Sequence, residues 1–444
     1  MRQYNMPMGE DKDINEATET IKKMFIISLG NREELSKLVD NYMVVGEPDK
    51  KNNAEVSTPY SLRQEMLDVI PKEFWTSPKK VLEPCSGKGG FLIDIVDRFM
   101  KGLKDNIPDE EERYRVIVEE CLTFVDINSN NIFIGKLLLD PEDRYTLDAR
   151  IGDTLDISLM HFDAVIGNPP YNDASGNKGR GHNLWVKFVN HALDYWLNEG
   201  SLLLYVHPSA WRKGDNVLNL TMRNKQINYL EIHNEKDGKK VFNCSTRYDW
   251  YLLENRPRYT ATRIKFEDGE IVDVDLGDIE FIPNMALNEI RNLIATENHP
   301  KMDVWNYRSN YGADKSHMSR NKTNDNIYPC IYSIPKVGPP SIYWSNTNEK
   351  GHFGRSKFIF SNGAGTIKDP TGQYGLTQWA YCIYDEPQNL ENIEKAFKDP
   401  DFKKVINAIH VDGQNYNISM MKLFRKDFWK QYLKGEHIHI LSKI

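Results

Sequence analysis

At 444 residues the chain is long enough for two or three domains, and its 40% hydrophobic content supports sizeable cores. No stretch reaches the ~18 apolar residues of a membrane span and the polar N-terminus lacks a secretory hydrophobic region. A soluble protein is therefore expected, with no membrane partner, cytoplasmic or, in a eukaryotic or viral source, nuclear or viral. The net charge of −7 is uneven: residues 301–444 carry 20 Lys+Arg against 14 Asp+Glu, leaving 37 against 50 before them, so a uniformly basic nucleic-acid protein is excluded while local phosphate binding is not.

Residues 1–55 read as a polar, helical N-terminal extension, with one amphipathic helix over 33–42. A strand-then-helix rhythm follows. Lys80-Val81-Leu82 leads through a Gly-rich turn into a helix over 91–100, and the strand Cys121-Leu122-Thr123-Phe124-Val125 into a helix over 130–139. The strand 162–167 precedes a helix over 184–197, and 201–206 is a fully apolar strand of the kind buried on both faces of a parallel sheet. Strands over 229–232 and 250–253 complete the series. The alternation predicts a doubly wound, mostly parallel α/β sheet over 56–256. After Arg256-Pro257-Arg258 the rhythm is lost, Gly, Asn, Pro and aromatic residues cluster over 305–384, and a helical section covers 388–434. Residues 257–444 read as a separate, mixed α+β domain. Cys85, Cys121, Cys244, Cys330 and Cys382 are far apart and never in CxxC spacing, which points to reduced thiols and away from a disulfide framework or a structural zinc; no metal is expected.

Three strand tips carry acids: Glu83 before the Gly-rich turn, Asp126 after Val125, and Asp153 in Ile151-Gly152-Asp153-Thr154. Each alone is an ordinary cap or turn residue; together they line the carboxyl edge of one parallel sheet, where open α/β folds bind ligands. The turn Glu83-Pro84-Cys85-Ser86-Gly87-Lys88-Gly89-Gly90 is not a dinucleotide fingerprint, because Leu92 stands where the last Gly is needed, nor a P-loop. It suits a ligand with an amino group beside a carboxylate. The strand 162–167 delivers Asn168-Pro169-Pro170-Tyr171 to one loop: an amide acceptor, a proline carbonyl with no competing N–H, and a flat aromatic face. That set suits a planar substrate bearing an exocyclic amino group; a Pro-rich turn is the plain alternative.

In this order the motifs resemble the gamma-type DNA adenine-N6 methyltransferases, the Eco57I/TaqI-like NPPY group. Ser57-Thr58-Pro59-Tyr60 is similar to the family's Thr-Pro segment, and 83–92 to its D-P-x-C-G-S-G-x-F-L loop, with Ser86 and Lys88 departing from the common Cys and Ser. Leu203-Leu204-Tyr205-Val206-His207-Pro208-Ser209 is similar to its later Pro-Ser strand, and Leu184-Trp185-Val186-Lys187-Phe188 to the helix after NPPY.

The resemblance implies a seven-stranded class I S-adenosylmethionine-dependent methyltransferase fold over 56–256 and a target-recognition domain over 257–444. It implies S-adenosylmethionine held by Thr58, Glu83, Gly87 and Gly89 at its methionine end, by Asp126 at the ribose and by Asp153 at the adenine, with Cys85 and Asn168 bordering the same pocket. Asn168 and Pro169 would bind the amino group of a flipped-out adenine in double-stranded DNA, Tyr171 would stack on it, and Phe242 is the candidate for its opposite face, an ordinary core position being the alternative. Pro84-Cys85 looks like the nucleophile of cytosine-C5 enzymes, but lies in the cofactor turn. RNA adenine, protein glutamine, or a part in a restriction–modification system remain rival readings, and no oligomeric state is singled out. The loop 172–183, with Gly176, Gly179, Gly181, Lys178, Arg180 and His182, is either a basic flap over DNA or a solvated linker; 351–357 and 374–379 are either DNA-contacting segments or packed hairpins.

Overall fold

The computed structural model describes residues 31–42, 56–159, 161–172, 183–349, 352–362, 364–413 and 416–433. They form two compact units. One comprises the described residues of Met1–Ser209 with Leu220–Asp278, the other those of Ala210–Asn219 with Ile279–Ile444.

The first unit is built on nine strands: β1 Val81–Glu83, β2 Leu122–Asp126, β3 Asp148–Ile151, β4 Phe162–Gly167, β5 Leu197–Pro208, β6 Lys225–His233, β7 Tyr248–Pro257, β8 Thr262–Lys265 and β9 Ile271–Val274. Their order is β3-β2-β1-β4-β5-β7-β6-β8-β9. Strands β1 to β5 pair in parallel, while β7 runs antiparallel to both β5 and β6. The sheet is doubly wound and mostly parallel, as expected, but two strands wider. The hairpin β8–β9 adds to the β6 edge, so this unit continues to Asp278 and not to 256.

Helices cover the sheet because its central strands are apolar on both faces. The helix Gly90–Gly102 sends Phe91, Leu92, Ile95, Val96 and Phe99 into one core with Val81, Leu122, Phe124 and Ile166. Each such side chain contributes about 1.5–3 kcal/mol by leaving water. The helix Leu184–His191 continues through a wider π-type stretch, Ala192–Trp196, up to the start of β5, so helical backbone fills the span expected over 184–197 but for its last residue. The helix Arg32–Tyr42 is no detached extension: Leu35 and Val39 pack on Ile93 and Leu138 within the same unit.

The second unit holds two four-stranded sheets. Val304–Trp305, Ala380–Tyr384, Lys357–Ser361 and Thr366–Asp369 pair antiparallel in one. Met318–Ser319, Ser341–Ser345, Tyr328–Ser333 and Gly375–Leu376 form the other, its last pair parallel. Helices Leu390–Lys398 and Pro400–Ala408 bury Ile393 and Phe402 in a core with Phe358, Phe360 and Ile383. The unit is mixed α+β, as expected. Its segment Ala210–Asn219 comes from between β5 and β6, because the buried Arg212 donates to the Ile282 carbonyl (2.9 Å) and to Asn284 Oδ1 (2.8 Å). No helix among the described residues is long and apolar enough to cross a membrane.

Candidate active site at the sheet edge

The strand order reverses between β1 and β4, since β1 is followed in sequence by β2 on one side and flanked by β4 on the other. A crevice forms outside the carboxyl ends of strands at such a switch point. Here it is a cavity of about 310 Å³. It brings together Thr58, Glu83, Cys85, Gly87, Asp126, Asp153, Asn168, Pro169 and Tyr171 from segments far apart in sequence.

The turn after β1 winds tightly because Gly87 (φ 50°) and Gly89 (φ 81°) take left-handed backbone conformations that side chains disfavour. Gly87 donates its N–H to Asp126 Oδ2 at 2.8 Å, and Asn128 donates to Asp126 Oδ1 at 2.8 Å, so the Asp126 carboxylate is fixed at the β2 tip. Burial raises its pKa, opposed by these two N–H donors. Gly89 itself caps the helix Gly90–Gly102 behind the turn; the part of its expected role that the geometry displays is the turn, not a place on the cavity wall.

Glu83 is 2% exposed, and its Oε2 is buried without a hydrogen-bond partner. Burial pushes its carboxyl well above the usual range, with Arg63 opposing and Asp126 adding to the rise. A buried carboxylate with an unpartnered oxygen is costly unless a cation completes it. Asp153 lies in the loop after β3, where its Oδ1 accepts from the Leu155 N–H at 3.0 Å. Thr154 tethers that loop to the first by donating to the Pro84 carbonyl at 2.5 Å. Cys85 borders the cavity, but burial, with Asp126, Glu83 and Asp153 nearby, pushes its thiol pKa well up. A thiol held neutral is a poor nucleophile.

The amide of Asn168 donates from Nδ2 to the Val56 carbonyl and to Thr58 Oγ1, both at 3.1 Å, while its Oδ1 is buried with no partner. The hydroxyl of Tyr171 is likewise buried without a partner, and burial raises its pKa. Phe242 does not fulfil its expected place. Its ring meets Tyr171 edge-on, 6.5 Å between centroids at 80°, and packs the same way on Tyr248 at 4.9 Å. Perpendicular rings leave no parallel slot for a base between them, and Phe242 belongs to the core around Trp250 and Leu252.

Two groups were not legible beforehand. Asp40 and Val39, on the N-terminal helix, line the cavity. Arg63, 2% exposed, donates to Asp94 Oδ2 (2.6 Å), Asp40 Oδ1 (2.7 Å), Ser36 Oγ (2.7 Å) and the Thr58 carbonyl. It lies directly beneath Gly90, where a Cβ would come within 2.6 Å of the guanidinium. Neither Asp40 nor Arg63 has a spacing that separates it from an ordinary solvated helix face. Of the expected basic loop 172–183, residues 173–182, with all its named Gly, Lys, Arg and His residues, lie outside the described residues. The segment 351–357 is packed at the ends of its described part, where Lys357 is fully buried against Asp369 at 2.8 Å and His352 is enclosed by Tyr307, Tyr311 and Phe353, while Gly354 and Arg355 between them are exposed. In 374–379, Gly375, Leu376 and Thr377 are buried as well.

Residues 92–242 match the family described as Eco57I restriction-modification methylase. The Eco57I likeness holds. An uncharacterized adenine-specific methylase of Mycoplasma pneumoniae is 25% identical, over 47% of this chain and 64% of that protein, so less than two thirds of its length is matched. Among solved structures, the M protein of the type I restriction enzyme EcoKI is 16% identical with a TM-score of 0.38, covering 47% of each chain. The type IIL restriction-modification enzyme MmeI in complex with DNA is 12% identical with a TM-score of 0.45, covering 92% of this chain and 67% of that one. Both are loose likenesses of shape.

Proposed function

We propose that the chain transfers a methyl group from S-adenosylmethionine to N6 of an adenine flipped out of duplex DNA. The observation that carries this reading is the Asn168 amide, whose donor end is anchored while its acceptor oxygen is buried and unpaired. The cavity suits the cofactor. Glu83 Oε2 lacks the cationic partner an α-ammonium would be, the fixed Asp126 carboxylate can accept from a ribose diol, and Asp153 stands one strand further along, where an adenine amino group would lie. When bound, S-adenosylmethionine supplies an electrophilic methyl on a sulfonium.

The N6 nitrogen of adenine is a weak nucleophile because its lone pair is delocalised into the ring. Asn168 Oδ1 and the Pro169 carbonyl accept its two hydrogens and favour the tetrahedral geometry in which that lone pair is localised. Dipoles placed in advance lower the barrier because they need no reorganisation as charge develops. No base is required before attack, the proton then shed by the methylated, cationic N6 is acidic enough to pass to water, and a neutral Cys85 thiol fits a mechanism without a covalent enzyme intermediate. Cys85→Ser is therefore expected to keep methyl transfer within the same order of magnitude; loss of all transfer would point to a thiolate.

Extruding the base costs about a few kcal/mol. Tyr171 returns part of it by stacking, through its ring and not its hydroxyl. Tyr171→Phe should keep kcat/KM for DNA and raise Tm, because it removes a buried hydroxyl that has no partner. Tyr171→Ala should lower kcat/KM roughly five- to hundred-fold, the equivalent of ~1–3 kcal/mol of stacking.

Support for duplex DNA, as opposed to RNA or protein, comes from the second unit, read as a target reader. Its surface pairs aromatic rings with cations: Lys422 stands 4.1 Å over the half-exposed Trp305, Lys322 5.1 Å over Trp344 and Arg308 6.0 Å over Trp379. Such pairs suit a phosphate backbone and its bases. The deciding test is incubation with labelled S-adenosylmethionine and plasmid DNA, RNA or a glutamine-containing protein, followed by mapping of the label. N6-methyladenine in the plasmid is the expected product. Label in RNA or protein but not in DNA refutes the reading.

A further inference from the structure

We propose that Thr58 is a positioning residue for Asn168, acting through its hydroxyl, and not a ligand of the cofactor's methionine end. The proposal rests on the reading of Asn168 as the acceptor of the target amino group. The terminal torsion of an asparagine is broad and nearly two-fold, so nothing in the residue itself decides whether oxygen or nitrogen faces the substrate. Presenting nitrogen would set donor against donor.

The surroundings decide it. The Val56 carbonyl is an acceptor only, so the end of the amide 3.1 Å from it must be the NH2 group. The second N–H of that group goes to Thr58 Oγ1, also at 3.1 Å. With both donors held, Oδ1 is turned the other way, buried and without a protein partner.

Thr58 is itself immobilised. It is 6% exposed, and its carbonyl accepts from Arg63, whose guanidinium is gripped by Asp94, Asp40 and Ser36. The helix Gly90–Gly102, carrying Asp94, and the helix Arg32–Tyr42, carrying Ser36 and Asp40, therefore meet on one arginine that fixes the residue orienting Asn168. The Thr58 hydroxyl points at an amide of the protein. Its part in methyl transfer is thus to hold that amide, by its second N–H, in the orientation that the Val56 carbonyl selects.

The test compares Thr58→Val, which keeps the shape and removes the acceptor, with Thr58→Ser, which keeps it. Thr58→Ala removes the same hydroxyl without adding a methyl, should the valine variant fail to fold, as checked by thermal unfolding. For valine or alanine, kcat at saturating S-adenosylmethionine should fall about ten-fold, while the dissociation constant of the cofactor, measured by calorimetry, stays within about two-fold. Serine should recover most of the lost turnover. An unchanged kcat in the valine and alanine variants overturns the proposal, as does a weakened cofactor affinity with full turnover at saturation, which would make Thr58 a cofactor ligand. The wild type is measured alongside: absence of adenine methylation there removes the proposed reaction and this role with it, whereas an active wild type with an equally active Thr58→Val removes the role of Thr58 alone.

Discussion

Asn168→Ala is expected to lower turnover about 10²–10³-fold, the effect typical of losing one placed hydrogen-bond acceptor or donor at a reacting centre. Cofactor affinity should change little, because the acids that would hold the cofactor sit on other segments, Glu83 and Asp126 at the ends of β1 and β2 and Asp153 in the loop after β3. Folding should also survive. The substitution removes an unpaired buried oxygen together with two hydrogen bonds to Val56 and Thr58, and these effects oppose one another. Asn168→Asp sharpens the point. It keeps an acceptor toward the substrate but sets a second carboxylate oxygen against the Val56 carbonyl, which can donate nothing. Its turnover should therefore lie between those of alanine and wild type at best, with a lower Tm than either. Single-turnover rates with saturating DNA and S-adenosylmethionine, next to equilibrium binding of the cofactor, separate the two contributions. Full single-turnover activity in Asn168→Ala would falsify the role assigned to the amide.

Much of this site is readable from sequence because its chemistry sits at the ends of strands whose composition declares them. β1, β2 and β4 are nearly unbroken apolar runs, each ending in a polar residue or leading into one, and a parallel sheet places all those ends on one edge. The groups that escaped notice share the opposite property. Asp40 and Arg63 are charged residues on helices, and their burial depends on each other, on Asp94 and on Ser36, partners up to 58 residues apart in sequence. A local pattern cannot distinguish such a cluster from a solvated face. The hairpin β8–β9 is not legible because its four-residue strands, Thr-Arg-Ile-Lys and Ile-Val-Asp-Val, are too short and too mixed to show an alternation, and they follow the Arg256-Pro257-Arg258 at which the strand–helix rhythm is lost. Phe242 illustrates a further limit. An aromatic ring at a fitting distance along the chain serves equally as a stacking face or a core residue, and only the 80° angle to Tyr171 decides between them here. In the second unit, strands of two to six residues broken by Gly, Pro and Asn carry too few alternations to be read at all.

Glu83→Gln should weaken cofactor binding roughly 10–100-fold, the loss corresponding to about 1.5–3 kcal/mol for a hydrogen bond to a charged group. The same change should make the unliganded protein more stable at neutral pH. Both follow from one carboxylate that is 2% exposed and whose Oε2 has no partner. Burial holds the pKa of Glu83 well above its ordinary 4.5, so the folded state binds this proton more tightly than the unfolded chain does. A group shifted in that direction favours folding fully below its unfolded pKa, and the contribution is lost as pH rises through the folded pKa. Glutamine stays neutral throughout and loses nothing. The Tm of wild type should therefore fall behind that of Glu83→Gln on going from acid to neutral pH, and the two should converge again below the unfolded pKa. Cofactor binding should show the reverse dependence. Wild-type affinity weakens as pH drops through the folded pKa of Glu83, because a protonated carboxyl offers no charge to an ammonium group, whereas the affinity of Glu83→Gln is low and flat across the same interval. Calorimetric titration and thermal unfolding from mildly acidic to neutral pH read both curves on the same two proteins. Tight, wild-type-like cofactor binding by Glu83→Gln would remove Glu83 from the cofactor site, and a Tm difference that does not change with pH would mean that folding does not raise the pKa of this carboxyl.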